Sequence, residues 1–356
     1  KYFTLLARRR RDVRLIAHER NRVALCKAFP DLMDRIYYSR DTRMHRVLWR
    51  IGARFPGVIR DHLFGDLMGM ITGWQQRKMA RDLVNEGGVD LVHQPIPVSP
   101  AAPSMLYGLG VPVVIGPMNG GMSYPPGYED FEGRLSRLFV TIGRPLAGLI
   151  NRIIPGKRRA AMLLVANDRT AKALPVHTVP VIELVENAVD FGLWSSTSRM
   201  AHKEGAFRLV YMGRLYALKG LDITIDALAE ARTRLPEIEL SMDILGDGPE
   251  LEALQAQVER LGLADVVRFP GFLPQSECAQ YLANGDALIL GSLRECGGAV
   301  VLEAMALGLV PLVVDYAGPG ELVEARSGFK VPIGTRDEIV AAFRERLGWM
   351  TENPDE

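Results

Sequence analysis

The chain has little cysteine. Cys26, Cys278 and Cys296 are odd in number and far apart in 356 residues. That excludes a disulfide scaffold and fits a reducing compartment. No apolar run approaches the roughly 18 residues needed to cross a bilayer, so no membrane-spanning helix is expected. Short repeats and low-complexity tracts are also absent. Neither sign of charge dominates: 43 Lys+Arg face 42 Asp+Glu, a net charge of +1. With 48% apolar and 24% charged residues the composition is globular, which excludes disorder, collagen and coiled coil. At roughly 100–200 residues per domain, the length predicts about two domains.

The balanced charge hides a split. Residues 1–190 carry 28 Lys+Arg against 17 Asp+Glu, or +11, and residues 191–356 carry 15 against 25, or −10. Halves of opposite sign predict domains that face different partners. A basic half suits an anionic substrate, a membrane or nucleic acid. No nucleic-acid recognition motif accompanies the charge, so nucleic acid is not expected as a partner.

Short apolar runs at 13–18, 89–93, 111–116, 162–166 and 181–186 alternate with long helical stretches. The pattern repeats at 208–213, 239–246, 266–269, 287–291, 310–314 and 329–331. Such alternation predicts an α/β protein with parallel sheets covered on both faces. Residues 191–206 are polar and aperiodic and read as a linker. The expected architecture is two Rossmann-like domains, 1–190 and 207–356, facing each other across a cleft. Residues 1–12 read as a helix preceding the strand at 13–18, whereas such a domain begins with a strand. The first domain is therefore expected to lack its first strand, and a helix at 337–347 running to the chain end reads as a second truncation.

Chemistry concentrates in the second half. In 292–311 (SLRECGGAVVLEAMALGLVP) a strand ends at Gly297 and Gly298 and a helix begins near Ala299. Bare N–H groups at such a start suit a phosphate. Glu295 precedes the helix, and Glu303 lies inside an apolar run, where a carboxylate is costly without a partner. Solvated acids are the alternative for both. In 209–231 a strand ends at Gly213, with Arg214 and Lys219 following. Two cations at the carboxyl end of a strand sit where open α/β sheets bind ligands, although solvated charges are the plain alternative. The turn at Gly246 and Asp247 and the loop at 269–277, with Phe272, are weaker signals.

Together these spacings resemble the retaining glycosyltransferases of family 4, whose fold is called GT-B. The resemblance rests on the two acids eight positions apart, the Gly-Arg-Leu and Lys-Gly stretch, the Gly-Asp-Gly-Pro turn, and LVENAVD at 184–190. It is specific over 208–333 and looser over 1–190. It implies that Glu295 contacts the hydroxyls of the donor sugar and Glu303 the ribose. Arg214 and Lys219 would neutralise the donor diphosphate, and Gly297, Gly298, Ala299 and Val300 would hold the phosphates or sugar. Gly246, Asp247 and Phe272 complete the implied donor site. No two aspartates lie two residues apart, so the Asp-x-Asp metal clamp of the other main glycosyltransferase fold is absent. No metal and no cofactor is expected, because two cations and a helix start can do that work. Cys296, where the family often has another residue, reads as a small filler.

In the first half, His93 ends a strand and resembles the family's active-site histidine; a structural histidine is the alternative. Asn119, Gly120 and Gly121, in a Gly-rich loop after the next strand, are expected to border the acceptor pocket. Residues 134–159 hold seven basic residues (Arg134, Arg137, Arg144, Arg152, Lys157, Arg158, Arg159) and no acid, with apolar residues at helical spacing. They read as a basic amphipathic helix for an anionic membrane surface, kinked or broken by Pro145. The competing reading is a core-packed helix with a solvated arginine face. The implied function is transfer of a sugar, with retention, from a nucleotide-diphosphate sugar to a glycan or lipid-linked acceptor. The implied location is the cytoplasm, peripheral on the inner face of the membrane. Alternatives on the same scaffold are a phosphorylase, a nucleotide-sugar epimerase, or a binding protein without turnover.

Overall fold

A computed structural model describes residues 2–9, 12–55, 57–125, 127–128, 134–184, 187–194 and 205–353. Two compact units divide the chain: Lys1–Gly121 with Arg134–Val185, and Met122–Gly133 with Glu186–Glu356.

The first unit is α/β. Strands β1 (Leu15–His18) and β2 (Ile36–Ser39) pair in parallel as one small sheet. Strands β3 (Val92–Gln94), β4 (Val113–Met118), β5 (Met162–Val165) and β6 (Val181–Glu183) form a second parallel sheet in sequence order. Its core is Val113, Ile115, Met118, Leu163 and Val165, with Leu106, Leu109 and Leu174 packed on them. The strand β2 has no counterpart among the predicted apolar runs. Its four residues, IYYS, end in a buried serine whose Oγ donates to Ala17 O, a polar core contact that a hydropathy reading passes over.

The second unit contains one six-stranded parallel sheet. Its strands are β7 (Ala206–Met212), β8 (Glu239–Leu245), β9 (Val267–Gly271), β10 (Ala287–Leu290), β11 (Val310–Val314) and β12 (Phe329–Val331). The spatial order is β12-β11-β10-β7-β8-β9. All four residues of β10 are buried, as a strand covered on both faces requires. The order runs outward in opposite directions from β7, so the sheet has a topological switch point between β7 and β10.

Three features bear on the expected organisation. The helix Arg134–Ile153 runs on through Pro145. A proline removes one helical hydrogen bond, and the rest of this 20-residue helix holds without it. The units also divide at 185/186, ahead of the expected linker, and residues 195–204 of that linker lie outside the described residues. Finally, the described residues among 122–128 group with the second unit although they lie in the first half of the chain. Tyr128 is the reason: its ring is 6% exposed and belongs to that unit's core. Nearby, Tyr316 Oη donates to Ser123 O at 2.9 Å, and the Arg294 guanidinium lies 4.4 Å from the Tyr124 ring centre.

Candidate active site

The carboxyl ends of β7, β8 and β10 are held together by backbone contacts that leave no room for side chains. Gly220 has φ +59°, and a Cβ there would lie 2.1 Å from Gly291 O. Leu293 N donates to Leu218 O at 2.9 Å, tying the loop after β10 to the turn after β7. Gly246 has φ +138°, and a Cβ there would meet Gly213 O at 1.8 Å. Leu215 N donates to Asp247 O at 2.9 Å, which brings the β8 loop alongside.

This packing sets Lys219, from the β7 side of the switch point, directly against Glu295, from the β10 side. The Lys219 ammonium donates to Glu295 Oε2. Both side chains are largely covered, at 18% and 26% exposure. Burial pushes the Lys219 ammonium below its usual range, and nearby Arg214 adds to the effect, with Cys296 acting against it. Arg214 itself is exposed, its guanidinium 5.0 Å from the Tyr216 ring centre and its carbonyl accepting from the buried Tyr211 hydroxyl.

Gly298 caps the helix Ala299–Ala306 in the left-handed conformation at φ +67°. Gly297 O accepts from Asn187 Nδ2 at 2.8 Å, and Glu295 O accepts from Gly318 N at 3.0 Å, so the loop is fixed on both sides. Ala299 is exposed, Val300 and Glu303 are half-buried, and Val301 is fully buried. The exposed Cys296 fills no core, contrary to the filler reading. Asp247 is exposed and closes its own turn by accepting from Gly248 N at 2.7 Å. Phe272 stands 85% exposed just after β9. The structure thus gathers Arg214, Lys219, Gly246, Asp247, Glu295 and Gly297–Val300 at the carboxyl edge of one sheet, on either side of its switch point. Asn187 is a member of this group that sequence spacing did not single out; its position in 184–190 was the available signal.

The remaining predicted residues lie in the first unit. His93 Nε2 is 2.6 Å from Gly116 O, at a bulge in β4 where a Cβ on Gly116 would meet Leu164 O at 2.2 Å. Asn119 is buried and its Oδ1 accepts from Arg169. Gly120 N donates to Thr170 Oγ1 at 3.0 Å, and Arg169 Nε donates to Gly120 O at 3.1 Å. Gly121 sits at φ +73° against Ala173. Asn119, Gly120 and Gly121 share one loop at the carboxyl end of β4, and His93 lies in the neighbouring strand β3. In this loop the helix Asp168–Lys172 supplies the hydrogen-bond partners, so the loop geometry is built in.

Among the described residues one group has metal-ligand composition: His18, Asp41 and His45, with ligand atoms within 4.8 Å of one another. Part of its ligand capacity is used in hydrogen bonds. Arg20 donates twice to Asp41, at 3.1 and 3.2 Å. His45 Nδ1 accepts from Thr42 N at 3.1 Å, which leaves Nε2 to donate to Thr72 Oγ1. These bonds tie the start of the helix Arg43–Gly52 to Arg20 and Thr72.

Residues 196–348 match the family described as glycosyl transferases group 1. A D-inositol 3-phosphate glycosyltransferase of Paenarthrobacter aurescens (strain TC1) is 29% identical over 178 residues, covering 44% of this chain and 44% of that protein. A glycogen synthase of Mycobacterium tuberculosis (strain CDC 1551 / Oshkosh) is 32% identical over 142 residues, covering 40% and 34%. The chain spans about half or less of the curated relatives it matches. Among solved structures, Anabaena Alr3699/HepE in complex with UDP superposes with a TM-score of 0.61 at 18% identity, over 93% of this chain and 80% of that one. The lipopolysaccharide outer core galactosyltransferase WaaB gives 0.57 at 16% identity, over 95% and 91%. The fold is GT-B: α/β, with parallel sheets in two domains.

Proposed function

We propose that the chain is a glycosyltransferase that moves a sugar from a nucleotide-diphosphate donor to an acceptor hydroxyl, with retention and without a metal. The observation that carries this is the Lys219–Glu295 pair across the switch point of the second sheet. That edge is where an open α/β sheet takes its ligand. A partly buried lysine with Arg214 near it gains most from a doubly charged guest. The diphosphate supplies that charge. As the glycosidic bond breaks, negative charge builds on the leaving phosphate, where Arg214, Lys219 and the N–H groups at Gly298–Val300 stabilise it. Glu295 then accepts hydrogen bonds from hydroxyls of the sugar, and Glu303 from the ribose. Gly246 and Asp247 line the donor loop, and Phe272 offers an exposed ring to the base.

In this reading His93 and the Asn119–Gly121 loop serve the acceptor, a glycan or a lipid-linked sugar, and the arginine face of residues 134–159 serves an anionic membrane surface. UDP is the first probe, because Alr3699/HepE was solved with UDP and with UDP-glucose. Calorimetric titration of UDP-glucose, GDP-, ADP- and TDP-sugars in excess EDTA is expected to give one saturable donor. Loss of a hydrogen bond to a charged group should cost about 1.5–3 kcal/mol in Lys219→Ala and in Glu303→Ala. Donor binding that is unchanged in both variants, or that needs added magnesium or manganese, overturns the assignment.

A further inference from the structure

The helix Arg43–Gly52 turns its apolar stripe away from the protein. Thr42 caps it, with a reciprocal bond to His45. Its buried side is fixed by His45, bonded to Thr72, and by Gly52, where a Cβ would lie 3.1 Å from the Phe64 ring. A surface helix ordinarily lays its apolar residues on that inner side. Here Met44, Val47 and Ile51, at positions i, i+3 and i+7, form a separate face and are 58%, 49% and 41% exposed. Trp49 on the same helix and Phe55 just past its end are also exposed. Arg43, Arg46 and Arg50 share the adjoining face and Arg54 follows. All four are exposed and make no ion pair among the described residues.

We propose that this helix is a docking surface for anionic lipid, lying in the plane of the membrane interface. The side chains of Met44, Val47 and Ile51 would enter the headgroup boundary. The four guanidinium groups flanking the stripe match lipid phosphates, which they grip in bidentate fashion. The same charges argue against a second copy of the chain as occupant. A two-fold contact through this stripe would bring two sets of arginines together without carboxylates between them. The inference extends the membrane reading of residues 134–159 to a different helix and does not depend on the donor site.

The test is co-sedimentation of the full chain with vesicles of phosphatidylcholine alone or mixed with phosphatidylglycerol, at low and at high salt. The wild-type chain should pellet with the anionic vesicles only, and release at high salt, where exposed charges are screened beyond about 3 Å at 1 M. Each arginine near the surface contributes about fivefold, so Arg43→Gln/Arg46→Gln/Arg50→Gln should weaken binding by about 100-fold. Val47→Glu/Ile51→Glu should weaken it by about tenfold or more. Circular dichroism and donor titration on the same variants should match wild type, since all five side chains are exposed. A wild-type chain that stays in the supernatant overturns the proposal, as does equal binding to both vesicle types. So does full binding by the Val47→Glu/Ile51→Glu variant, and loss of binding only on Arg134, Arg137, Arg144 and Arg152→Gln would then assign the membrane to the other helix. A concentration-dependent dimer that the glutamates dissolve would make the occupant a second copy.

Discussion

At the scale of single residues, the second unit depends on positions where no side chain fits. Gly220 combines a left-handed backbone with a carbonyl 2.1 Å from where its Cβ would be. Gly220→Ala should therefore destabilise the second unit by about 2 kcal/mol, from backbone strain and steric displacement together. It should also weaken donor binding, because the displaced loops carry Lys219 and Glu295; urea unfolding and donor titration on one preparation test both. A second residue governs pH dependence in the first unit. Lys157 is fully buried, and its ammonium donates to the carbonyls of Ser99 and Pro100. Burial lowers its pKa to about 7. The unfolded chain holds that proton up to an ordinary lysine value, so between pH 7 and about 10 the unfolded state binds more protons. Stability of the first unit should rise across that window by a few kcal/mol and be flat at its lower level below it. Lys157→Met should remove most of the slope in urea melts at neutral and alkaline pH. Legibility at this scale was uneven. Arg214, Lys219, Glu295 and the glycines stood out by spacing. Lys157 read as part of a basic run, because a sequence gives no depth to a charge.

At the scale of elements, most strands were legible as apolar runs, the exposed β6 among them, and β2 was not. The stretch 287–290 is a continuous apolar run and forms β10, whereas β2 alternates too little over four residues to declare itself. The helix Arg43–Gly52 is amphipathic in sequence, yet periodicity alone does not say which way a stripe points. The helix expected at 337–347 starts close to its observed beginning but runs on to Glu352, and its cap was not read from the sequence. Thr335 and Glu338 form a reciprocal cap on the helix Arg336–Glu352, Thr335 Oγ1 accepting from Glu338 N and the Glu338 carboxylate from Thr335 N. That helix packs along Leu221–Arg234, joined by Arg344 to Glu230 and by Arg336 to Asp222. Thr335→Ala should cost about 1 kcal/mol of second-unit stability. Donor affinity should be unchanged, and a thermal shift with and without UDP-glucose separates the two effects.

For the whole molecule, the sequence marked two α/β units and opposite charges for their halves, and the structure agrees on two parallel-sheet units. It did not mark that Tyr128 belongs with the core of the second unit. So short a segment has no periodicity of its own, and the core that Tyr128 joins is otherwise made of residues from Trp194 onward. Tyr128→Ala should cost about 3–5 kcal/mol, as loss of a buried aromatic ring does. The loss should appear in the unfolding transition of the second unit although the residue lies in the first half of the chain. A transition of the first unit that shifts instead would contradict the packing described.

That placement of Tyr128 also changes what a single backbone cut can do. In a protein whose two lobes share one connection, hydrolysis of that connection yields two diffusing fragments. Here the chain passes between units more than once, because described residues among 122–128 group with the second unit and residues 134–184 with the first. A fragment 1–190 still carries the tyrosine that the fragment 191–356 needs to fill its interior. The two pieces, made separately, should reassociate on mixing and co-elute from a sizing column. Tyr128→Ala in the first piece should abolish the reassembly. The protein is in this sense a natural candidate for fragment complementation, with one aromatic ring as the latch.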